Sequence, residues 1–168
     1  MALNALTLLR YDVTRAESFL SEVFAKVTAD QLVWLPKGAT TNPIGTTFLH
    51  VYHVEDRAIH RLLGDKPTVF EAKSWQDRLG YDPTHPWAPL ATPPDPVALR
   101  TYAAEVFADT QSFLDGLAPE ALEQEISSPR GNRPMYVSLT LSLVIHKLMH
   151  MGEISALLGC QGVKGFPV

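Results

Sequence analysis

Apolar residues recur every three or four positions in four long stretches of the chain, the spacing of a buried helical stripe. These stretches cover about residues 2–26, 42–64, 95–116 and 136–158. In the first, the stripe consists of Leu6, Leu9, Val13, Ala16, Phe19, Leu20, Val23 and Phe24. No stretch of useful length alternates apolar and polar residues, so the pattern predicts helices and gives no indication of strands.

The ends of the long stretches carry recognisable start and stop signals. Asn42–Pro43 and Asp95–Pro96 each place a capping side chain before a proline that suits the first helical turn. Gly64, Gly116 and Gly159 stand where the second, third and fourth helices are expected to end. We also expect a single turn at 28–32 capped by Thr28, a short helical piece at 119–126, and a turn-rich connection at 127–134.

Residues 65–94 break the helical pattern, because six prolines fall within them. The segment also contains Phe70, Trp75, Tyr81 and Trp87, so it is expected to pack against the protein, with a short helix at 71–79. The three residues Trp75, Tyr81 and Trp87 could line a pocket, although core packing is the simpler assignment.

Four long helices with modest connections predict an all-α protein, a four-helix bundle built as one domain over residues 1–168 with a proline-rich insertion at about 65–94. The net charge is −4 and no lysine or arginine cluster is present, which argues against nucleic-acid binding. The longest charge-free apolar run, 135–145, is shorter than the roughly 20 residues of a membrane span, so it predicts a buried helix of a soluble protein.

One cysteine, Cys160, excludes an internal disulfide and a cysteine-based zinc site. Its thiol is expected to be buried or incidental rather than nucleophilic, and a reducing, cytoplasmic location is the natural one for such a chain.

His146 and His150 lie four residues apart in the most apolar helix, so both imidazoles project from one face and can bind one ion. The alternative is a pair of histidines satisfied by neighbouring groups. The zinc-peptidase motif is excluded, because Lys147 stands where that motif has glutamate.

The second helix offers His50, His53 and His60 as a third ligand. The surrounding pattern favours His50 over His53 without excluding the latter. His60, beside Arg61, is interpreted as a surface histidine, and His85 as a loop residue without a chemical role.

Each acidic residue near these histidines has more than one interpretation. Glu153 lies seven residues after His146, on nearly the same helical face, where it could orient a ligand histidine, accept a proton, or simply be a solvated carboxylate. Glu55 and Asp56 follow the second-helix histidines and are interpreted as a polar face or an interhelical ion pair.

Two segments resemble the DinB superfamily, also called the DinB/YfiT-like metal-dependent bundles. Residues 43–56 are similar to the family's helix-two histidine motif with its trailing acidic pair, and residues 146–153 are similar to its H-x-x-x-H-x-G-[QE] ending. The order and separation of these segments fit nearly the whole chain.

The resemblance implies an up-down-down-up four-helix bundle in which His50, His146 and His150 hold a divalent metal, and it thereby selects His50 over His53. It further implies zinc or nickel as the metal, a low-molecular-weight thiol as a possible cofactor, a small-molecule substrate and a homodimer. No motif in the chain identifies a particular thiol.

Three functions follow as hypotheses. The first is a metal-dependent enzyme that activates a small thiol or water for transfer or hydrolysis, with Glu153 as a helper. The second is a non-catalytic, stress-associated metal-binding module. The third is a helical interaction protein with histidines in its core and no metal.

Overall fold

The computed structural model describes residues 4–166 except 63, 65, 89, 91 and 128–130. Four long helices dominate it: α1 (Ala5–Phe24), α3 (Ile44–Leu62), α6 (Pro96–Asp115) and the C-terminal helix Met135–Cys160. The C-terminal helix consists of α7 (Met135–Leu139), a π-helical segment (Thr140–Ile145) and α8 (His146–Cys160). Shorter helices are α2 (Ala29–Val33), α4 (Val69–Ala72), α5 (Trp75–Leu79) and a 3₁₀ turn (Pro119–Glu123).

The four long helices pack as a bundle. Helix α3 contacts α6 and α8, and α1 contacts the same two helices from the opposite side. Each helix therefore buries its apolar stripe against two neighbours, which confirms the predicted all-α four-helix bundle. The side chains of α1 predicted to form its stripe are buried, except for the half-buried Phe19.

The predicted cap Asp95 starts α6, whereas α3 begins at Ile44 rather than at Pro43, and α1 begins after Asn4, which was not predicted as a cap. The Asn4 side chain accepts a hydrogen bond from the Thr7 amide, and Asp95 accepts one from the Val97 amide. The backbone amide of Thr28 donates to the side chain of Gln31 at the start of α2. The residue at which α1 was expected to begin, Ala2, lies outside the described residues.

The proline-rich insertion contains two short helices rather than the single predicted one. Ser74 separates α4 from α5, and its backbone is left-handed with φ 51°. A left-handed residue ends the hydrogen-bond ladder of a helix, and a serine there gives no such warning in the sequence. The rings of Phe70, Trp75 and Tyr81 are buried, as the core-packing interpretation expected.

A two-stranded antiparallel ladder, which the sequence pattern did not predict, follows the 3₁₀ turn. Strand β1 (Glu125–Ile126) pairs with β2 (Arg133–Pro134), Glu125 opposite Pro134. Strands of two residues are too short to produce a period-two pattern. The predicted helical piece at 119–126 therefore ends at Glu123, and part of the predicted connection at 127–134 is strand.

The C-terminal helix differs from the prediction in two ways. It continues through Gly159 to Cys160, so Gly159 is not its terminator. The run 135–145 was expected to be buried, but Tyr136, Val137, Leu141 and Ile145 are exposed, so only one face of the run lies in the core.

By length and composition, Met135–Cys160 is the one helix among the described residues that passes as a candidate membrane span, with a mean hydropathy of 1.2. A core helix of a soluble bundle passes the same test. This helix packs against α1 and α3, and its Lys147 is fully buried in an ion pair. Both features resemble those of a core helix in a soluble domain.

Candidate metal centre

Three imidazoles from two helices meet at one point of the bundle. His50 projects from α3, and His146 and His150 project from the first two turns of α8. One ring nitrogen from each histidine lies within 4.8 Å of the other two, so the group could hold a metal ion. The Nε2 atoms of His50 and His146 are 3.1 Å apart. All three side chains are half-buried.

This spacing fits a divalent ion. Two nitrogens at tetrahedral positions, each about 2.05 Å from zinc, lie about 3.3 Å apart, close to the separation found for His50 and His146. Imidazole ligands suit several transition metals, and a three-histidine zinc site leaves a coordination position for water or substrate.

Glu153 fixes the ring of His150. The Nδ1–H of His150 donates to Oε2 of Glu153 at 2.9 Å, and the Thr41 hydroxyl donates to the other carboxylate oxygen. The ring is therefore held with Nε2, the remaining nitrogen, carrying a free lone pair, as in the carboxylate–histidine arrangement found behind metal sites.

Burial lowers the pKa of the imidazoles of His50 and His146. Partial burial, and then the neighbouring His150, lower the pKa of His50 to about 4, although Glu153 opposes the change. Burial followed by the charges of His150 and His50 lowers the pKa of His146 to about 4 as well. Neutral imidazole is the form that binds metal, so both rings are ready to coordinate at neutral pH.

Trp87, from the proline-rich insertion, lies against the site. Its ring centroid is 4.1 Å from that of His50 and 6.3 Å from that of His150, and 44% of its surface is exposed. Of the three aromatic residues considered as pocket lining, Trp87 alone contacts the histidines in the described structure, whereas Trp75 and Tyr81 belong to the core.

The other histidines lie elsewhere. His53 is buried against Phe70 and Tyr81, away from the group of three. His60 was interpreted as a surface residue, and this is wrong: it is 9% exposed, with Nε2 3.4 Å from carboxylate oxygens of both Asp56 and Asp109. His85 is exposed in the insertion and pairs with Asp82, as expected of a loop residue.

Glu55 and Asp56 have separate tasks. Glu55 is fully buried and forms an ion pair with Lys147 at 2.7 Å, which is the interhelical pair anticipated for these acids. Asp56 accepts hydrogen bonds from the amides of Val69 and Phe70 and from the Tyr102 hydroxyl. It therefore attaches the proline-rich insertion to the bundle.

Lys147 is a structural residue that the sequence reasoning overlooked. Its ammonium lies between Glu55 and Glu17, and the Tyr52 hydroxyl donates to Glu17 as well. Burial opposes the lysine charge, but the two carboxylates outweigh it and raise the pKa of Lys147. A single lysine in the most apolar helix was the signal that could have revealed a buried partner.

Comparison with known proteins agrees with this architecture. The sequence profile of the DinB superfamily matches residues 12–154, and the chain belongs to that superfamily. Among solved structures, it is similar to one described as the crystal structure of the conserved protein of locus from Enterococcus faecalis, with a TM-score of 0.77 and 20% identity. That match covers 93% of this chain and 96% of the other, and at this identity it shows the fold alone. No curated protein matches the chain.

Proposed function

We propose that this protein is a metal-dependent enzyme that acts on a small molecule at the centre formed by His50, His146 and His150. The observation that carries the proposal is the convergence of the three ring nitrogens at the end of a groove of about 1120 Å³ that His50 and His146 line. We propose zinc or nickel as the ion, because the resemblance to the DinB superfamily implies these metals and imidazole ligands suit both.

A divalent ion held by three neutral imidazoles would lower the pKa of a bound water to about 7 and deprotonate a bound thiol, supplying a nucleophile at neutral pH. The chain's own part is to position the ligands and to limit the access of solvent. Trp87 covers one side of His50. The groove gives a substrate access to His50 and His146.

Glu153 orients His150 in this proposal. Both of its carboxylate oxygens already accept hydrogen bonds, one from His150 and one from Thr41. A carboxylate engaged in this way is better suited to fixing a ligand ring than to accepting a proton from substrate. The two hydrogen bonds support the orienting role among those that the sequence left open for Glu153.

The first test is metal analysis of protein purified without a histidine tag. We expect about one zinc or nickel per chain, a loss of most of that metal in His146→Ala, and no change in His85→Ala, because His85 is exposed in the insertion. Stoichiometric metal retained by His146→Ala would remove that residue from the ligand set.

The second test asks for turnover. Consumption of small thiols in the presence of electrophiles, and hydrolysis of small esters and amides, are measured with and without a chelator. Turnover abolished by chelation and restored by zinc or nickel supports the enzyme. Metal binding without turnover across these reactions would support the non-catalytic binding module instead.

A homodimer in the cytoplasm is part of the same proposal. Val137, Leu141, Ile145, Leu148 and Met149 form an exposed apolar side of the C-terminal helix, and Met149 is 68% exposed. Such a surface favours association with a second copy. Sedimentation of the purified protein tests the dimer, and a monomer at every concentration would contradict it.

A further inference from the structure

The groove beside the metal centre runs between α3 and the C-terminal helix. His50 and His146 line one end of it, and Arg61, Gln124 and Arg133 line it near the β1–β2 ladder. The groove therefore connects the site where chemistry is proposed with a second set of polar side chains. A substrate bound at the histidines has space to extend toward them.

The position of Arg61 follows from helix geometry. Eleven residues separate it from His50, which is close to three full turns of α3, so both side chains leave nearly the same side of the helix. The two Cα atoms are about 16.5 Å apart along the axis, and the long arginine stem can take up part of that distance. Among the described residues, the guanidinium of Arg61 has neither an ion-pair nor a hydrogen-bond partner.

The charge of the groove differs from that of the protein. The chain carries a net charge of −4, but no aspartate or glutamate is among the described residues that line the groove, whereas two arginines are. Arg133 has contacts of its own and adds a second positive charge at the same end. An anionic group is therefore attracted to this end of an otherwise acidic molecule.

The middle of the groove is suited to an apolar body. Val54 and Ala58 of α3 line it together with Leu139 of the C-terminal helix, and Ser138 and Ser142 add hydroxyl groups. A hydrocarbon segment can contact the first three while a few polar atoms are satisfied by the serines.

We infer that the substrate of the proposed metal centre is a small carboxylate, with its reactive group at the histidines, an apolar middle along Val54 and Leu139, and its carboxylate on Arg61. The inference rests on the proposed function and adds the substrate class. Arginine binds carboxylates through two parallel hydrogen bonds, and the absence of a competing partner within the described structure leaves its guanidinium available.

The experiment compares two eight-carbon hydroxamic acids, which bind metal at one end. Suberic acid monohydroxamate carries a carboxylate at the far end, and octanohydroxamic acid carries a methyl group there. Their affinities are measured by titration calorimetry for the zinc-loaded and metal-free protein, and for the variants Arg61→Gln and Arg57→Gln. Arg57 is a matched control, because it lies on the same helix but lines the separate cavity that contains His53.

We expect the carboxylate to tighten binding to the zinc-loaded protein by about tenfold at low ionic strength. Arg61→Gln removes this advantage and Arg57→Gln keeps it. In the unmodified protein the advantage shrinks at high salt, which tests the charge contact without any substitution.

Two results would overturn the inference, and they differ from each other. If both compounds bind only the zinc-loaded protein but with equal affinity, or if Arg61→Gln keeps the advantage, the metal centre stands and the carboxylate site is wrong. If neither compound prefers the zinc-loaded protein, the metal centre itself is wrong and the substrate class falls with it.

Discussion

Adjacent residues at the start of α8 contact different parts of the molecule. His146 faces the metal centre, whereas Lys147 points into the core between Glu17 and Glu55. Removing one partner of a buried ion pair leaves an uncompensated charge and costs about 3–5 kcal/mol. The ion pairs of Lys147 therefore fix the rotation of α8 about its axis, and α8 carries two of the three histidines.

Replacing Glu153 with alanine should weaken zinc binding by about 10-fold to 100-fold, because His150 loses the acceptor that fixes its ring. Competition with a chromophoric chelator measures the affinity. Glu22→Ala, an exposed carboxylate on α1, is the control and should leave the affinity unchanged. Equal affinity in Glu153→Ala and the unmodified protein would show that the carboxylate has no orienting role.

The metal-free protein should lose stability as the pH falls from about 6.5 toward 4, in part because of His53. Burial, with smaller contributions from Arg57 and His50, lowers the pKa of His53 in the folded protein to about 4, whereas in the unfolded chain it is close to 6.5. The unfolded state therefore binds the proton first. The contribution of His53 to the free energy of unfolding is fully present above about pH 6.5, and about 2 kcal/mol of it is lost by pH 4.5.

Urea unfolding at pH 8 and pH 4.5, with chelator present, measures this loss. His53→Leu removes the titrating group from among Phe70 and Tyr81, so its stability should fall by about 2 kcal/mol less over the same interval. The pKa values of His50 and His146 are also lowered to about 4. These two residues therefore maintain the remaining pH dependence in both the unmodified protein and His53→Leu. An identical loss in His53→Leu would contradict the assignment.

At the residue scale, the sequence was most informative where spacing alone decides geometry. His146 and His150 share a face because they are four residues apart, and no tertiary knowledge is needed for that. His60 was misassigned because its burial depends on Asp109, which lies on α6 and far away in sequence. Lys147 was overlooked for the same reason, since its partners belong to α1 and α3.

At the scale of elements, the proline-rich insertion depends on one carboxylate. Asp56 accepts from the amides of Val69 and Phe70 at the start of α4, and burial raises its pKa despite these hydrogen bonds. The insertion in turn carries Trp87 to the metal centre. The hydrogen bonds that Asp56 accepts from α4 therefore help to hold Trp87 against His50.

Asp56→Ala should loosen the insertion more than the bundle. It leaves two buried amides and the Tyr102 hydroxyl without their acceptor, each at a cost of about 1–3 kcal/mol. Hydrogen exchange should become faster in 66–88 than in α1 or α6, and Trp87 should become more accessible to a quencher. Asp77→Ala, an exposed acid in the same insertion, is the control. Uniform acceleration across the chain would indicate global destabilisation instead.

The elements that the sequence could predict are those whose apolar stripes are long. The four bundle helices fall near their expected bounds, because each stripe spans several turns. The left-handed backbone at Ser74, the π-helical segment before His146 and the ladder of β1 and β2 are set by packing around them. Two to six residues carry too little periodicity to reveal such features.

At the scale of the whole molecule, an ion at the candidate centre would join α3 to the C-terminal helix, because its ligands come from both. Zinc at a thousandfold excess over its dissociation constant should therefore stabilise the folded protein by about 4 kcal/mol. For a chain of this size, that corresponds to a rise of about 8–16 °C in melting temperature.

A chelator should reverse this rise in melting temperature. His146→Ala should lose it, and His85→Ala should keep it, since His85 lies in the exposed part of the insertion. A histidine-filled core without metal predicts instead that zinc leaves all three melting temperatures unchanged, and that result would replace the metalloenzyme with a helical interaction protein.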